Sequence, residues 1–567
     1  MTDRDYDLVV VGSGAAGLTA ALTAATRGLR TVVVEKATHF GGSTARSGGG
    51  VWVPNNHVLA RAGAGDTPEQ ARAYLAHLVD GVVEPERQQA FLEHGPRMLE
   101  MVDRTTPLRL TWVRGYSDYY PEAPGGQARG RSLEPRPMDA RVLGADLDDL
   151  EPPYLAAPAG MTITQADYRW LNLSARHPRG AWRALRVGTR TAVNRIRRRR
   201  MLSMGQALVA GLRAGLTDLA VPVLLDTPML DLVTTEGRVT GVRVQRDGTE
   251  EVLGARLGVV LASGGFERNE AMRKEHQEHP IGTEWTVGAV ANTGDGITAG
   301  QALGADVDLM EDSWWGPSIP LSRGPYFCLS ERAQPGCILV NAAGQRFVNE
   351  ASPYVDAVKA MYAGQRTGVE HIPCWLVADQ RYRNHYTFAG LGPRQPFPRR
   401  WYESGVVQRA DTVERLADRI GVPAEALRAT VARFNGFAAS GVDDDFGRGR
   451  SRYDHYYGDP RLRSNPSLAP LDKAPFYAVR IVPGDLGTKG GLRTDARARV
   501  LRADGSTIPG LYAAGNAGAA LMGHTYAGPG ATLGPAMTFG YLAAHTAADS
   551  DDTADTIDSA VSTGGRS

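Results

Sequence analysis

Residues 7–36 read DLVVVGSGAAGLTAALTAATRGLRTVVVEK: an apolar segment, a glycine turn, an alanine-rich segment and a second apolar segment that ends at Glu35. In such a pattern Gly12 permits the tight turn, Gly14 lets the backbone approach a pyrophosphate, and Gly17 lets the helix pack close to the sheet. The N-terminus of that helix favours an anion, because its free N–H groups and the helix dipole point toward it. Glu35 lies 21 positions after Gly14, where a carboxylate accepts hydrogen bonds from a ribose hydroxyl. The stretch therefore predicts an adenine dinucleotide site.

Further glycine-rich clusters distinguish FAD from NAD. GGSTARSGGG at 41–50 follows the second strand at once and supplies backbone N–H groups along a flat, phosphate-bearing ligand. GLYAAGN at 510–516 reads as a strand that ends in a glycine and a polar residue, and GVVLASGGF at 258–266 reads as another buried strand of the same domain. A chain that returns to its nucleotide domain near its end resembles flavoproteins of the glutathione-reductase type, although those usually carry aspartate where this chain has Asn516. We therefore predict FAD as the cofactor.

These segments indicate which residues contact FAD. They lie in the first turn, at the end of the second strand, in the loop after it, in the block at 258–266 and in the C-terminal piece. The predicted cofactor contacts are Gly12, Ser13, Gly14, Ala15, Ala16, Gly17, Glu35, Lys36, Gly42, Ser43, Thr44, Ser47, Gly48, Gly49, Gly50, Gly264, Gly515, Asn516 and Leu533.

The predicted fold class is α/β, with a Rossmann-like FAD-binding domain of the glutathione-reductase type in two pieces of the chain. Residues 1–314 alternate strand and helix patterns and form the first piece, and residues 488–550 resume the glycine- and alanine-rich style and form the second. Residues 315–487, rich in Tyr, Pro and Arg, form an inserted α+β substrate domain. A helix is predicted at 413–439, and a flexible tail is predicted at 551–567.

Composition excludes several classes of protein. The chain has 567 residues and a net charge of +1, so it has no overall field for binding nucleic acid. Its three cysteines, Cys328, Cys337 and Cys374, are too few for a disulfide framework and too irregularly spaced for a zinc site, and we expect no metal. No signal peptide pattern precedes the first strand, and no apolar run of about 18 residues predicts a membrane span. These features favour a cytoplasmic protein.

Arginine is concentrated at 179–200, in RGAWRALRVGTRTAVNRIRRRR. As a helix this segment would be basic and amphipathic. The interleaved apolar residues are Trp182, Leu185, Val187, Val193 and Ile196. Two interpretations stay open, because a solvated charged helix serves solubility whereas an interfacial helix makes peripheral contact with an anionic membrane.

Tyrosines are the candidates for proton transfer. A flavin carries out the redox step itself, so the protein must supply groups that orient and polarise the substrate and move its protons. Tyr526 precedes the glycine-rich run at 528–530, where backbone N–H groups are exposed. A phenol beside a backbone N–H can hold a carbonyl oxygen as it becomes an enolate, and the adjacent carbon then becomes acidic. The other candidates are Tyr116, Tyr119, Tyr120 and Tyr354.

Seven motifs are spread over nearly the whole chain. They are GSGAAG (12–17), GGSTARSGGGVWVPNN (41–56), GYSDYYPEAPGG (115–126), EWTVGAVANTGDG (284–296), GQRFVNEASPY (344–354), GDLGTKGGL (484–492) and HTYAGPGATLGPAMTFGYLAA (524–544). Together they resemble the FAD-dependent 3-ketosteroid Δ1-dehydrogenases, from about residue 5 to residue 548. The last motif is the specific one, because a glycine turn such as the first occurs in many flavoproteins.

The resemblance implies a reaction and the residues that carry it out. In that family a tyrosine and a glycine N–H bind the C3 carbonyl of a 3-ketosteroid, which matches Tyr526 and Gly530. A second tyrosine takes a proton from C2, which matches Tyr354, and a third assists it, which matches Tyr119. The C1 hydrogen leaves as hydride to flavin N5. The implied activity is 1,2-desaturation of the steroid A-ring, with an electron acceptor that the sequence does not identify.

Three other functions stay open at this point. Dehydrogenases that introduce a Δ4 bond into 5α-steroids are distinguished only by the motif around Tyr526. Fumarate-reductase-like flavoproteins share the RFVNE run, but they place a catalytic arginine where this chain has Tyr354, and tyrosine cannot serve as a permanent cation for a dicarboxylate. A flavin-bound sensor without turnover is the non-enzymatic alternative, although a sensor has no need of three tyrosines at the family's positions.

Overall fold

The computed structural model describes residues 5–155, 157 and 160–563. Its strands are β1 (Asp5–Val11), β2 (Thr31–Val34), β3 (Val51–Trp52), β4 (Leu110–Trp112), β5 (Ser132–Pro135), β6 (Met138–Asp139), β7 (Met201–Leu202), β8 (Val223–Leu224), β9 (Met229–Thr235), β10 (Arg238–Arg246), β11 (Thr249–Leu261), β12 (Val307–Asp308), β13 (Ser313–Ile319), β14 (Tyr326–Phe327), β15 (Cys337–Val340), β16 (Cys374–Asp379), β17 (Val407–Ala410), β18 (Phe476–Thr488), β19 (Gly491–Leu492), β20 (Arg499–Leu501) and β21 (Thr507–Ala513). Its α-helices are α1 (Ala15–Thr26), α2 (Gly42–Arg46), α3 (His57–Arg61), α4 (Pro68–Val79), α5 (Pro85–Thr105), α6 (Gln165–Leu171), α7 (Pro178–Ile196), α8 (Met204–Asp218), α9 (Glu270–His276), α10 (Asp295–Ala302), α11 (Tyr354–Gln365), α12 (Gln380–His385), α13 (Arg399–Glu403), α14 (Val413–Ile420), α15 (Ala424–Ser440) and α16 (Leu533–Thr563).

The larger sheet has the strand before the glycine turn near its centre. In the described part of the chain it contains eight strands, six of them in the order β20-β21-β11-β1-β2-β8, with β10 and β9 continuing from β11. Strand β1 pairs in parallel with β2, where Val9 lies opposite Val32, and with β11, where Val9 lies opposite Val259. Residues 8–11 are buried, because a parallel strand covered by helices on both faces needs apolar residues on both sides.

The larger sheet is completed by a separate C-terminal piece of the chain. Strand β21 pairs in parallel with β11, and helix α16 packs against helix α1 from the other end of the sequence. A Cβ atom at Gly540 of α16 would lie 2.3 Å from the carbonyl oxygen of Ala16, so the two helices are in close contact. The predicted two-piece α/β architecture is confirmed.

A second sheet is antiparallel and is formed by strands that lie between the two pieces of the first. Its order is β14-β13-β18-β16-β15, with β17 beside β18. All residues of β13, β15 and β16 are buried, because apolar clusters cover the sheet on both faces. Strand β13 begins at Ser313 and β18 ends at Thr488. The domain boundaries at 314/315 and 487/488 stay predictions.

The single helix predicted at 413–439 is wrong, because the structure has the two helices α14 and α15 there. Gly421 ends α14 in the left-handed conformation with φ 71°, and Pro423 is the N-cap of α15. Proline has no N–H to continue the first helix, and it disfavours helical geometry at the residue before it. The prediction of one continuous helix overlooked this glycine and proline, which signal the end of one helix and the start of the next.

The described residues also bear on the membrane, cysteine and tail predictions. No helix among them has an apolar stretch of the length that a membrane crossing needs, and no acidic, histidine or cysteine side chains among them cluster as a metal site. Cys328, Cys337 and Cys374 are buried free thiols. Residues 564–567 of the predicted tail lie outside the described residues. The flexibility of the tail and the cytoplasmic location stay predictions.

Candidate active site

A cavity of about 1520 Å³ extends from the glycine turn to the loops of the second sheet. A pocket for one drug-sized ligand has about 300–1,000 Å³, so this cavity has room for a dinucleotide and a second molecule. It is lined by every predicted cofactor contact except Gly17, by Gly530 and by every candidate tyrosine except Tyr120, whose hydroxyl donates to Asp356 at 2.8 Å. The individual contacts of these residues with cofactor and substrate stay predictions.

The glycine turn has the geometry that the sequence pattern requires. Gly12 has φ 105°, and a Cβ atom there would lie 2.4 Å from the carbonyl oxygen of Ala262. A Cβ atom at Gly17 would lie 1.9 Å from the carbonyl oxygen of Gly12, which explains why Gly17 packs beneath the turn instead of lining the cavity. At Gly14 the nearest atom to an added Cβ is Oγ1 of Thr44, at 3.5 Å. The backbone at Gly14 is therefore open to a ligand, as a pyrophosphate site needs.

Glu35 is held at the end of β2 by three hydrogen bonds. Its Oε2 accepts from the N–H of Ser13 at 3.0 Å and from the Ser13 hydroxyl at 2.6 Å, and its Oε1 accepts from the N–H of Ala37 at 2.9 Å. The next residue, Lys36, forms an ion pair with Asp295 at 2.6 Å. The carboxylate of Glu35 is thus fixed beside the turn, where a ribose would lie if the pyrophosphate occupies the N-terminus of α1.

The loop at 41–50 connects the nucleotide turn with other parts of the cavity. Thr44 Oγ1 accepts from the N–H of Ala15 at 3.0 Å. Ser43 Oγ accepts from the N–H of Ala289 at 2.8 Å and from the side-chain amide of Asn292 at 3.1 Å. Asn292 lies in the EWTVGAVANTGDG motif, and the sequence analysis did not assign it to the site.

The C-terminal piece brings a second helix N-terminus to the cavity. Leu533, the first residue of α16, lines it, so the N-termini of α1 and α16 both face the ligand space. Such N-termini favour phosphate groups and other acceptors. Asn516 Oδ1 accepts from the indole N–H of Trp314 at 3.1 Å, and a Cβ atom at Gly515 would lie 3.1 Å from Cβ of Ala16. The two pieces of the nucleotide domain therefore meet at the cavity.

Three predicted catalytic tyrosines from distant segments form a triangle in the same cavity. The ring centroid of Tyr119 lies 5.4 Å from that of Tyr354 and 5.1 Å from that of Tyr526, and the last two are 5.6 Å apart. All three are buried. Their side chains can therefore act on one bound molecule.

Tyr119 is positioned by a turn that a buried ion pair stabilises. Its N–H donates to the carbonyl of Ala527 at 3.0 Å, which ties the turn to the Tyr526 segment. The preceding residue, Asp118, is fully buried, forms an ion pair with Arg131 and accepts from the indole N–H of Trp52 at 2.8 Å. Sequence analysis missed these supporting residues, because nothing in the spacing of Asp118 and Arg131 marks them as partners.

Tyr354 is the first residue of helix α11. The loop before it is held by the guanidinium of Arg332, which donates from Nη1 to the carbonyls of Glu350 at 2.5 Å and Ser352 at 2.7 Å. The ring of Phe327 contacts that of Tyr354 edge-on, with centroids 5.1 Å apart. A helix N-terminus carries partial positive charge, which stabilises an anion within the first turn.

Tyr526 lies between a hydroxyl and an indole. Its hydroxyl is 2.8 Å from that of Thr532, and its ring contacts that of Trp314 at 4.9 Å. The buried ammonium of Lys489 lies 5.0 Å from the Trp314 ring centroid and donates to the carbonyl of Thr525 at 2.9 Å. Lys489 therefore anchors the loop that presents Tyr526, and it belongs to a motif whose role sequence analysis left unassigned.

Gly530 offers a backbone donor to the same cavity. It has φ 96°, and a Cβ atom there would lie 2.4 Å from the carbonyl carbon of Gly50, so only glycine fits. Its carbonyl accepts from the N–H of Trp52 at 3.1 Å, whereas its own N–H has no acceptor among the residues that the structure describes. That N–H is available to a ligand.

Burial keeps the three tyrosines protonated at neutral pH. Loss of hydration raises the pKa of Tyr119 and of Tyr354 well above its ordinary value of 10.0. A hydrogen bond with Tyr119 opposes this effect on the pKa of Tyr354. Burial also raises the pKa of Tyr526, and hydrogen bonds with Thr532 and Tyr354 oppose it. Tyr526 is thus a neutral hydroxyl that can donate, and Tyr354 is a phenol whose ionisation is supported by a neighbour.

Comparison with known proteins identifies the cofactor. Residues 7–533 match the family model of the FAD binding domain, so the predicted cofactor, FAD, is confirmed. The chain is 57% identical over 553 residues to 3-oxosteroid 1-dehydrogenase of Mycolicibacterium smegmatis, covering 96% of this chain and 97% of that one.

Solved structures with a similar fold cover nearly all of this chain. The chain superposes on 3-ketosteroid delta1-dehydrogenase from Sterolibacterium denitrificans, in complex with 1,4-androstadiene-3,17-dione, with a TM-score of 0.92 and 40% identity, covering 96% of this chain and 100% of that one. It superposes on 3-ketosteroid-delta4-(5alpha)-dehydrogenase from Rhodococcus jostii RHA1 with a TM-score of 0.67 and 23% identity, covering 96% and 97%. The second likeness is one of fold alone.

Proposed function

Because the chain belongs to the family of FAD-dependent 3-oxosteroid 1-dehydrogenases, we propose that it desaturates the C1–C2 bond of 3-ketosteroids. The observation that carries this proposal is the triangle of Tyr119, Tyr354 and Tyr526 in one cavity with the glycine turn. A hydroxyl donor, a backbone donor and a phenol base are the groups that removal of a proton next to a ketone requires.

Polarisation of the ketone is assigned to Tyr526 and Gly530. The Tyr526 hydroxyl stays protonated because burial raises its pKa, so it can donate to the C3 oxygen. The free N–H of Gly530 supplies the second donor. As negative charge develops on that oxygen, both hydrogen bonds strengthen, and the protons at C2 become more acidic.

Proton abstraction from C2 is assigned to Tyr354. Burial raises its pKa, so the side chain is protonated at neutral pH and takes the C2 proton only as a phenolate, which other groups must stabilise. Tyr119 provides one such group through its hydrogen bond, and the N-terminus of α11 provides the other through its dipole. The enolate that Tyr526 and Gly530 stabilise lowers the demand on this base further.

The nucleotide end of the cavity fits FAD. The open backbone at Gly14, the N-termini of α1 and α16, and the carboxylate of Glu35 offer the groups that a pyrophosphate and a ribose need. When bound, FAD supplies the oxidant that accepts the hydride from C1. The remaining cavity wall includes Tyr116, Phe327, Leu329, Tyr457 and Leu486, whose rings and aliphatic groups suit a flat, apolar substrate.

Three alternatives are weaker. A Δ4-(5α)-dehydrogenase would act on ring A saturated at C4 and C5, and the relative with that activity has 23% identity, against 40% for the Δ1 enzyme. A fumarate-reductase-like activity would need a cation where Tyr354 begins α11. A flavin-bound sensor without turnover would show no reduction of flavin by any ketosteroid.

The test is product analysis with purified holoenzyme and an artificial electron acceptor. We expect a 3-keto-4-ene steroid to give the 1,4-diene, and the flavin absorbance to bleach when the acceptor is omitted under anaerobic conditions. A matched 3-keto-5α-steroid should gain its double bond at C1. Formation of a 4-ene from that substrate, or no bleaching with either steroid, would contradict the proposal.

A further inference from the structure

Helix α7 turns its apolar side away from the protein. Gly180 and Val187 are the residues of this helix that are buried, and they lie on the side that faces α6. On the opposite side Trp182 is 65% exposed, Leu185 58% and Ile196 81%. Positions 182, 185, 193 and 196 recur at helical spacing and therefore form one stripe, with Val193 44% exposed. At a rise of about 1.5 Å per residue, the stripe is about 20 Å long.

Basic side chains border this stripe. Arg183 and Arg190 point inward and hold the helix to the buried carboxylate of Asp167, at 3.0 and 2.7 Å. Arg186, Arg197 and Arg198 are exposed, and none of them forms an ion pair with another residue that the structure describes. The helix is thus anchored by one set of arginines and offers another to solvent.

The same helix forms part of the cavity wall. Thr191 and Asn194 line the cavity from α7, and Arg199 and Arg200 line it just beyond the helix end. Both of these arginines are exposed, as is Leu155, a further lining residue with 52% exposure. The exposed lining shows that the cavity meets solvent beside the C-terminal end of α7.

We propose that α7 is a membrane-docking helix that binds the surface of an anionic lipid bilayer. An amphipathic helix with tryptophan and aliphatic residues on one face and arginines beside them inserts that face at the boundary of headgroups and acyl chains. The arginines complement the negative charge of the headgroups. Solvation alone explains the arginines, but it does not explain four large apolar side chains on the outer face of a basic helix.

Docking through the stripe places the C-terminal end of α7, where Arg199 and Arg200 border the cavity, at the bilayer surface. A ketosteroid dissolves in lipid, so this consequence rests on the proposed function, whereas the docking itself does not. Failure of vesicle binding would leave the dehydrogenase assay unaffected, and failure of that assay would leave vesicle binding unaffected. The two proposals are therefore tested separately.

The test is co-sedimentation of the full-chain holoenzyme with vesicles of phosphatidylcholine and phosphatidylglycerol, and with vesicles of phosphatidylcholine alone. We expect binding to the anionic vesicles that weakens as salt is raised, since salt screens the arginines. The face variant replaces the stripe and should bind at least a hundredfold more weakly. Its substitutions are Trp182→Gln, Leu185→Gln, Val193→Gln and Ile196→Gln.

The charge variant should lose the preference for anionic vesicles, by about fivefold for each arginine removed. Its substitutions are Arg186→Gln, Arg197→Gln and Arg198→Gln. Matched controls remove exposed residues elsewhere and should bind as the wild type does. They are Leu219→Gln, Leu230→Gln, Val252→Gln and Val442→Gln for the face, and Arg61→Gln, Arg72→Gln and Arg415→Gln for the charge.

Every variant is first checked for its flavin spectrum and for turnover of a detergent-dissolved substrate, both of which should match the wild type. Absence of vesicle binding by the wild type would overturn the proposal. Equal binding by the face variant would overturn it as well. If light scattering shows that the wild type is a dimer and the face variant a monomer, the stripe would be a contact with a second copy of the chain instead. If duplex DNA binds the face variant and the wild type equally and displaces vesicles, the arginines would instead serve to bind nucleic acid.

Discussion

The two ends of the cavity are built in different ways. The nucleotide end is largely made of neighbouring residues between β1 and β3, and its key features are backbone conformation and close approach at Gly12, Gly14 and Gly17. The catalytic end is made of three side chains, Tyr119, Tyr354 and Tyr526, that come from distant parts of the chain and meet with ring centroids within 5.6 Å.

The two ends should therefore tolerate substitutions differently. At Gly12 and Gly17 the turn has no room for a Cβ atom, so substitutions there should remove cofactor and fold together. The catalytic hydroxyl groups contribute little to packing, so their removal should leave the cofactor bound and slow the chemistry. Substitutions at each end test whether the two ends separate in this way.

The largest effect is expected for Gly17→Val. A Cβ atom at this position would lie 1.9 Å from the carbonyl oxygen of Gly12, and the turn cannot form around it. We expect a loss of more than about 4 kcal/mol in the free energy of unfolding and protein without flavin absorbance. Gly436→Val is the control, because Gly436 also lies in a helix and an added Cβ there meets nothing within 4 Å. Flavin bound at wild-type levels by Gly17→Val would contradict the claim that packing of the turn determines cofactor binding.

Tyr354→Phe should lower kcat by about 10²–10⁴-fold, the range for loss of a general base. The flavin spectrum and the steroid Kd should change little, because the ring is kept. Steady-state kinetics and a steroid titration of the flavin spectrum check this. Tyr362→Phe serves as the control, because it removes a hydroxyl from the same helix. That hydroxyl donates to the carbonyl of Pro280, outside the catalytic triangle. Unchanged turnover by Tyr354→Phe would remove Tyr354 from the mechanism.

Tyr119→Phe should displace the pH profile. Activity should rise with pH in the neutral to alkaline range, because burial raises the pKa of the base Tyr354 and more of it ionises as protons are removed. Since the hydrogen bond with Tyr119 lowers the pKa of Tyr354, the variant's profile should shift to higher pH, with about tenfold lower kcat near neutrality. Tyr453→Phe, whose ring also contacts Tyr119 at 4.9 Å, should leave the profile in place. Superimposable profiles of wild type and Tyr119→Phe would contradict the assisting role.

Glu267→Gln should change stability and leave the chemistry intact. Glu267 is buried, and it accepts from Asn292, which also contacts Ser43 of the cofactor loop. Burial and then the charge of Asp485 raise the pKa of Glu267 from 4.5 to about 7. The folded carboxyl thus keeps a proton that the unfolded one has lost, so stability falls as pH rises through about 7.

When the pH is raised from about 5.5 to about 8.5, the wild type should lose about 2 kcal/mol in the free energy of unfolding because of this residue. The variant should not show that loss. Denaturant titrations of holoprotein at the two pH values measure it. Parallel losses in wild type and Glu267→Gln would show that Glu267 does not hold its proton in the fold.

The ends of the cavity also differ in how far sequence could predict them. The spacing of Gly12, Gly14, Gly17 and Glu35 specifies the nucleotide turn, because backbone sterics act over a few residues. Nothing local connects Tyr119 with Tyr354, and only the resemblance to a family pointed to that pair.

Neither local spacing nor the resemblance to a family predicted some of the supporting residues. Asp118 with Arg131, Arg332, Lys489 and Thr532 act through tertiary contacts. Their spacing in the chain carries no sign of those contacts, so neither pattern nor motif could assign them. The break between α14 and α15 differs, since Gly421 and Pro423 signalled it locally.

In this mechanism the phenol base Tyr354 and the two ketone donors, Tyr526 and Gly530, act as one unit on one substrate molecule. A double-mutant cycle of Tyr354→Phe and Tyr526→Phe, read as the rate of flavin bleaching by a 3-keto-4-ene steroid in a single anaerobic turnover, tests it most directly. We expect each substitution alone to slow bleaching by at least about 10²-fold. We also expect the double variant to be little slower than the worse single variant, because residues that act as a unit are not additive. Losses that multiply in full, or bleaching at the wild-type rate in either single variant, would contradict it.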